Sequence, residues 1–359
     1  MVHDVHSNGA VPSEVPMLLQ AGVRSRVAVI VNENARGVRP EVVSQLERLV
    51  PPRDLYVSRS LDHSRRIART VVERAYDGVL FGGGDGTFVQ CLDDLARESR
   101  SEGAPLPGVG VLRLGTGNAL ADALGASRPT LTGLAADLRR ARHATPGSKA
   151  RTLELLAVDH KLTPFAGCGL DAQILDDFAR TCGAIDRLAG PLAPRIGAGA
   201  RYAVTIGARS VPRFLLTRLP EVELISTGEI AHRIDPLTGR VDETPLPKGT
   251  VLYRGRAMLA SAATIPFYGL GLKMFPYAGT RPGFFQFRIS TASTWETLSR
   301  LPWVWKGEYR TPNLIDFHCQ AIELRINRAV PIQIGGDLQD KLRDRLEIAI
   351  HSTPLRVLA

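Results

Sequence analysis

The sequence predicts an α/β domain followed by a β-rich domain. From Arg26, short apolar runs alternate with stretches of helical period, as in a doubly wound parallel sheet covered on both faces. Past residue 150, short β-rich runs follow one another between turn residues, the texture of an antiparallel sandwich or barrel. The chain has 359 residues, more than one ordinary domain, so two separate cores are expected.

The elements follow in order. "VAVIVN", ending at Asn32, is the first strand, and "PEVVSQLERLV" the first helix, with Pro40 suited to its first turn. "DLYVS" is the second strand, and Ser60 opens the second helix, "SLDHSRRIARTVVERAY". "GVLFGG" and "TFVQCLDDLARES" are the third strand and helix. "GVGVLRL" is the fourth strand, "GTGNALADALG" begins another helix, and "TLTGLAADLRRARHA" completes the run. The expected division is a flexible tail (1–25), an α/β domain (26–145), a linker at "TPGSK" (145–149), a β-rich domain (150–340) and a C-terminal segment (341–359). Helical patches near 172–188 and 292–305 interrupt the β-rich part.

Hydrophobic content of 44% and charged content of 23% are those of a soluble globular chain. The net charge of +9 favours anionic partners, whether nucleotides, nucleic acid or an acidic bilayer surface, without choosing among them. Cys91, Cys168, Cys182 and Cys319 lie far apart with no CxxC pair, so neither a disulfide framework nor a zinc site is expected, and a reducing cytoplasm fits. The N-terminus lacks the basic start and apolar core of a secretory signal. The longest uncharged stretch, Ala257 to Leu272, is interrupted by Pro266, Gly269 and Gly271 and is too short to span a bilayer. Lipid, if met, would be met from outside.

The chemistry concentrates in two turns. In "GGGDGT" the glycines Gly82, Gly83, Gly84 and Gly86 permit close approach of a ligand, and Thr87 offers an N–H at a helix start. Asp85 is an anion where an anion should bind. A carboxylate belongs there if a divalent cation separates it from phosphate, if it takes a proton beside the reacting phosphate, or if it braces the loop by accepting backbone N–H bonds. The second turn, Gly115, Thr116, Gly117 and Asn118, follows the next strand. Two such turns at the C-terminal edge of one sheet would form a single cleft. The first βα turn, near Asn32, lacks GxGxxG, which disfavours a dinucleotide-dependent dehydrogenase.

"VNENARG", "GGGDGT" and "LRLGTGNALADALG", in this order and spacing, resemble the catalytic domain of the diacylglycerol and sphingosine kinases. The resemblance continues more weakly in "FAGCGLDAQIL", "FYGLGLKMFPYAGTRPG" and "VPIQIGGDLQ". It implies an NAD kinase/diacylglycerol kinase-like nucleotide-binding domain joined to a β-sandwich, with the chain end returning to the first domain. The implied activity is that of a lipid kinase using ATP and Mg²⁺, with diacylglycerol or a similar lipid alcohol as acceptor. By matching position, Asn32, Gly83, Gly84, Asp85, Gly86, Thr87, Gly115, Thr116, Gly117 and Asn118 would hold the nucleotide, and Asp85 and Asp337 would serve catalysis and metal. Asp171 would hold the lipid head group, although on residues alone it could equally cap the helix that follows. The implied setting is cytoplasmic, with peripheral contact to an anionic membrane, no nucleic acid, and a homodimer as an option.

Departures from the family pattern leave alternatives open. The family's Asp in the Gln-x-Asp-Gly-Glu strand is Gly335 here, and its Glu is Asp337. In "TRPG" an acidic turn has become Arg281 and Pro282, which speaks against a structural metal site. The stretch 214–249 is longer than its counterpart and is read as an inserted hairpin or loop. Three outcomes stand for the altered site: Asp337 acts with a metal, Asp85 takes the hydroxyl proton, or catalysis is lost and only nucleotide or lipid binding remains. An NAD kinase-like enzyme, which also carries GGDGT, is a further alternative. Trp303, Trp305, Phe267 and Tyr268 are read first as core aromatics, with an acyl-chain cleft or a membrane interface as the other reading.

Overall fold

The computed structural model describes residues 25–144, 151–190, 201, 204–210, 212, 213 and 218–358; the expected tail up to residue 24 and the linker at 145–149 lie outside the described residues. The first domain is a parallel sheet of β1 (Val27–Asn32), β2 (Leu55–Ser58), β3 (Gly78–Gly83) and β4 (Gly108–Arg113), in the order β2-β1-β3-β4. Alternation along β1 assigns its two faces. Val27, Val29 and Val31 pack with α1 (Pro40–Leu49) and α5 (Leu131–His143), through Leu46 and Leu134 among others. Ala28 and Ile30 face the opposite core, shared with α2 (Leu61–Glu73), α3 (Asp85–Ser101) and α4 (Ala119–Leu124). The sheet is thus doubly wound. Ser60 caps α2 by accepting the His63 N–H at 3.1 Å, and Pro40 stands in the first turn of α1.

The division expected at 341 falls later. Arg343–Ile350 belongs to the second domain, and only Leu355–Val357 joins the first sheet, parallel to β4 and antiparallel to Arg151–Leu153 at the edge. Leu358 then buries its side chain over Gly78, where a Cβ would stand 2.4 Å from its Cδ1.

The second domain packs an eight-stranded antiparallel sheet on a six-stranded one. Phe285, Phe287 and Ile289 of one sheet meet Leu324, Leu346 and Ile348 of the other in a shared core. Of the stretch 214–249, residues 218–249 are described and are built into both sheets. The strand Glu221–Ser226 lies inside the six-stranded sheet, burying Val222 and Leu224, and Ile230–Ile234 pairs with Leu246–Pro247 and with Leu314–Cys319 in the eight-stranded one. The second domain also carries α6 (Leu170–Ala189), α7 (Thr294–Ser299) and α8 (Leu301–Lys306).

Across the outer face of the eight-stranded sheet, register aligns Gln333, Gly167, Ser261, Arg288 and Asp316 in one cross-strand row. Arg288 donates to both Asp316 oxygens at 2.8 Å, and Gln286 donates to the same carboxylate at 2.7 Å. Both charged groups are buried, and Arg288 also donates to the Met274 carbonyl. A segment that lacks regular structure, 264–284, is thereby fastened over the sheet. Arg288→Met should destabilise the protein by about 3–5 kcal/mol, because it leaves the Asp316 charge buried and unpaired. Arg288→Met combined with Asp316→Leu should recover much of that loss in urea unfolding; an additive double variant would show that the two groups are not coupled.

Candidate active site

Three turns converge at the C-terminal edge of the parallel sheet. The loop after β1 packs on the end of β4, where Gly37 donates to the Leu114 carbonyl at 3.1 Å. Asn32 Nδ2 donates to Thr87 Oγ1 at 2.9 Å, tying β1 to the first turn of α3. The two glycine turns touch backbone to backbone, since a Cβ on Gly115 would stand 2.6 Å from Gly84 Cα and 2.8 Å from the Gly83 oxygen. Asn118 takes a left-handed conformation (φ 54°) and closes its own turn, with both side-chain atoms bonded to Gly115 at 2.9 Å. Thr116 and Gly117 are half-buried in that turn.

Asp85 lies in the first turn of α3 but does not cap it. Its Oδ1 accepts the Leu120 N–H at 3.0 Å and its Oδ2 the Ala119 N–H at 3.2 Å, so it caps α4. Of the roles open to Asp85 from sequence, this is the geometry of the brace. Burial pushes its carboxyl above the ordinary range, and the two N–H bonds oppose that rise. The N-cap of α3 is Gly84, with no side-chain bond to the helix start and open space where a Cβ would be. Among the described residues, no N-cap side chain bonds the start of this 17-residue helix.

The second domain brings a carboxylate to this helix start. A Cβ on Gly86 would lie 2.5 Å and 2.6 Å from the two oxygens of Asp337. Partial desolvation at this junction raises the carboxyl of Asp337, a residue that is exposed overall, and Lys161 opposes the rise. Gly335, standing where the family has Asp, is buried with φ +64°, and a Cβ there would fall 2.5 Å from Val89 Cγ2 on α3. The missing carboxylate has no room. Among the described residues, no three His, Cys, Asp or Glu side chains gather into a metal site. At "TRPG", the Arg281 guanidinium pairs with Glu243 at 3.0 Å and lies over the Phe284 ring.

Asp171 is neither a free head-group ligand nor a simple cap. Its Oδ2 accepts Tyr268 OH at 2.6 Å, Ser261 Oγ at 2.7 Å and Gln333 Nε2 at 3.4 Å, and its Oδ1 accepts the Ala172 N–H at 2.7 Å. Burial raises its carboxyl against these four donors. Sequence reasoning missed this cluster, since Ser261 and Tyr268 carry no motif and meet Asp171 only through sheet register and loop placement. The same loop reaches the first domain, where Leu270 donates to the Gly117 carbonyl at 2.6 Å. Arg36, in the loop after β1, lies over the Phe178 ring of α6 at 5.5 Å.

A doubly wound sheet with two glycine turns, facing a β-sandwich that supplies a carboxylate, defines a two-domain kinase-like architecture. Residues 26–148 match the diacylglycerol kinase catalytic domain. The whole chain is similar to solved structures from Bacillus anthracis str. Sterne that carry the name diacylglycerol kinase. One aligns with a TM-score of 0.59 at 14% identity, covering 92% of this chain and 96% of that one. Another aligns with a TM-score of 0.58 at 13% identity, covering 92% and 95%. At such identity the likeness establishes the shared fold. Among curated proteins, no sequence relative matches the chain.

The brace and the crowded turn each generate a test. Asp85→Asn sets an NH₂ group against a backbone donor and should cost about 1–3 kcal/mol in thermal or urea unfolding; an unchanged midpoint would remove the bracing role. Gly335→Asp should lower stability by about 1–3 kcal/mol from the left-handed backbone alone, without raising activity. A gain in turnover from that variant would show that the turn can open to accept the acid.

Proposed function

We propose that the protein is an ATP-dependent lipid kinase that transfers the γ-phosphoryl group to the hydroxyl of diacylglycerol or a similar lipid alcohol. The observation that carries this reading is the Asp337 carboxylate of the second domain set against Gly86, at the start of a helix whose N-cap has no side-chain bond. The N–H groups from Gly84 to Thr87 and the turn at Gly115–Asn118 form the cradle a polyphosphate would fill. ATP bound with Mg²⁺ supplies the transferable phosphorus and neutralises the charge of its oxygens. Mg²⁺ needs one or two carboxylates besides phosphate and water, and Asp337 is the one that fits, since both Asp85 oxygens are engaged by α4.

On the acceptor side, Asp337 takes the hydroxyl proton as transfer proceeds. Asp85 holds the two glycine turns at a fixed separation, and Asn32 fixes Thr87 beside the cradle. Phosphoryl transfer rests mainly on positioning and charge, so one carboxylate in this place suffices. A second reading is favoured by Gly335: a protein of the same fold that binds nucleotide or lipid without transfer.

The test is labelled ATP with Mg²⁺ and a panel of lipid alcohols in mixed micelles, with NAD as a water-soluble acceptor. A labelled phospholipid is the expected product. Labelled NADP would replace the lipid reading with an NAD kinase-like one, and nucleotide binding without product would favour the binding protein. Asp337→Asn should lower turnover about a hundredfold or more with nucleotide affinity retained.

A further inference from the structure

Helices α7 and α8 bury none of their residues. Short helices in water are held by burying an apolar face, so this is an anomaly to be explained. All three tryptophans of the chain stand on these two helices, exposed to 67% (Trp295), 48% (Trp303) and 40% (Trp305), beside the exposed Leu301. Trp303 and Trp305 are therefore not core aromatics.

Polar bonds hold the helices in place with the aromatic side chains outward. Glu296 accepts Tyr309 OH at 2.7 Å, Asn313 Nδ2 at 2.9 Å and Thr311 Oγ1 at 3.1 Å, which uses its charge internally. The exposed charges on and beside α8 are mainly cationic: Arg300, Lys306, Arg310 and Lys273, against Glu308. Arg300 lies over the Trp303 ring at 5.7 Å, and a cavity of about 360 Å³ beside it is lined by Arg300, Trp303, Glu308, Tyr309, Arg310 and Thr311.

We infer that α7 and α8 form a membrane-docking surface whose occupant is an anionic lipid bilayer. Tryptophan suits the boundary between headgroups and acyl chains, where its ring is apolar and its N–H stays wet. The flanking cations match the negative potential of acidic lipid and leave a headgroup phosphate two guanidinium groups to meet. The position is equally specific. Lys273 donates to the Trp305 carbonyl at 2.9 Å, and three residues earlier Leu270 of the same loop donates to Gly117. Docking thus sets the bilayer one loop away from the phosphate cradle. As a source of lipid acceptor this deepens the kinase reading and rests on it; as a binding event it is measurable without ATP.

Sedimentation with vesicles of phosphatidylcholine, with and without phosphatidylglycerol, tests the surface directly. The wild type should bind the anionic vesicles with a blue-shifted tryptophan emission, and more weakly in high salt. Trp303→Ala with Trp305→Ala should weaken binding about tenfold or more. Arg300→Glu with Lys306→Glu should weaken it at least about thirtyfold. Urea midpoints should move little, since none of these side chains is part of the buried core. Wild-type protein that ignores anionic vesicles, or variants that bind as well as wild type, would overturn the inference. So would a self-association abolished by the tryptophan pair, which would give the face to a second copy. A water-soluble short-chain diacylglycerol separates the two readings: vesicle binding with no phosphorylated product refutes the kinase alone, and product without vesicle binding refutes the docking surface alone.

Discussion

The site depends on where one carboxylate points. Asp85 opens α3, yet its oxygens accept the first two N–H groups of α4. An acid at its own helix start would ordinarily complement that helix's dipole and occupy its free donors. Here the neighbouring helix takes the charge, and the donors of α3 stay available. The same bonds clamp the second glycine turn onto the first, where Gly115 meets Gly83 and Gly84 without room for a side chain. One interaction thereby sets both the free donors and the spacing of the two turns.

The second domain reaches this cleft at several points, each of them at a glycine. Gly269 lies beside Gly117, Gly335 lies under Val89, and Asp337 stands over Gly86. The first is limited by backbone atoms and the second by a stiff branched side chain, which leaves little freedom for sliding. The segments that make them are in turn fastened by buried polar groups. Asp171 with Tyr268, Ser261 and Gln333, and Arg288 with Asp316, form a continuous row across one sheet face. The polar interior of the sandwich acts on the cleft by fixing the loops that line it.

The replacement of an acid by Gly335 gains a physical reason from this packing. The left-handed backbone and the contact with Val89 make glycine the residue that the turn accepts, and they carry the chain on to Asp337 two positions later. The turn packs against α3 at Val89, and the acid that reaches the cleft is Asp337. On the far side of the loop 266–273, the exposed tryptophans lie beyond the second domain's packed core.

Sequence by itself determined the order of strands and helices in the first domain, because alternation, helical period and caps such as Ser60 act over a few residues. It also located both glycine turns, since few other patterns place Asp85 among four glycines. Tertiary structure alone decided what those residues do. The targets of Asp85 lie 34 and 35 residues away, the side-chain partners of Asp171 lie 90 to 162 residues away, and Glu221–Ser226 is completed on its inner side by a strand about a hundred residues on. The exposure of Trp303 and Trp305 was illegible for the same reason. An aromatic residue on a helix reads as core until the surrounding fold shows how much of it stays exposed.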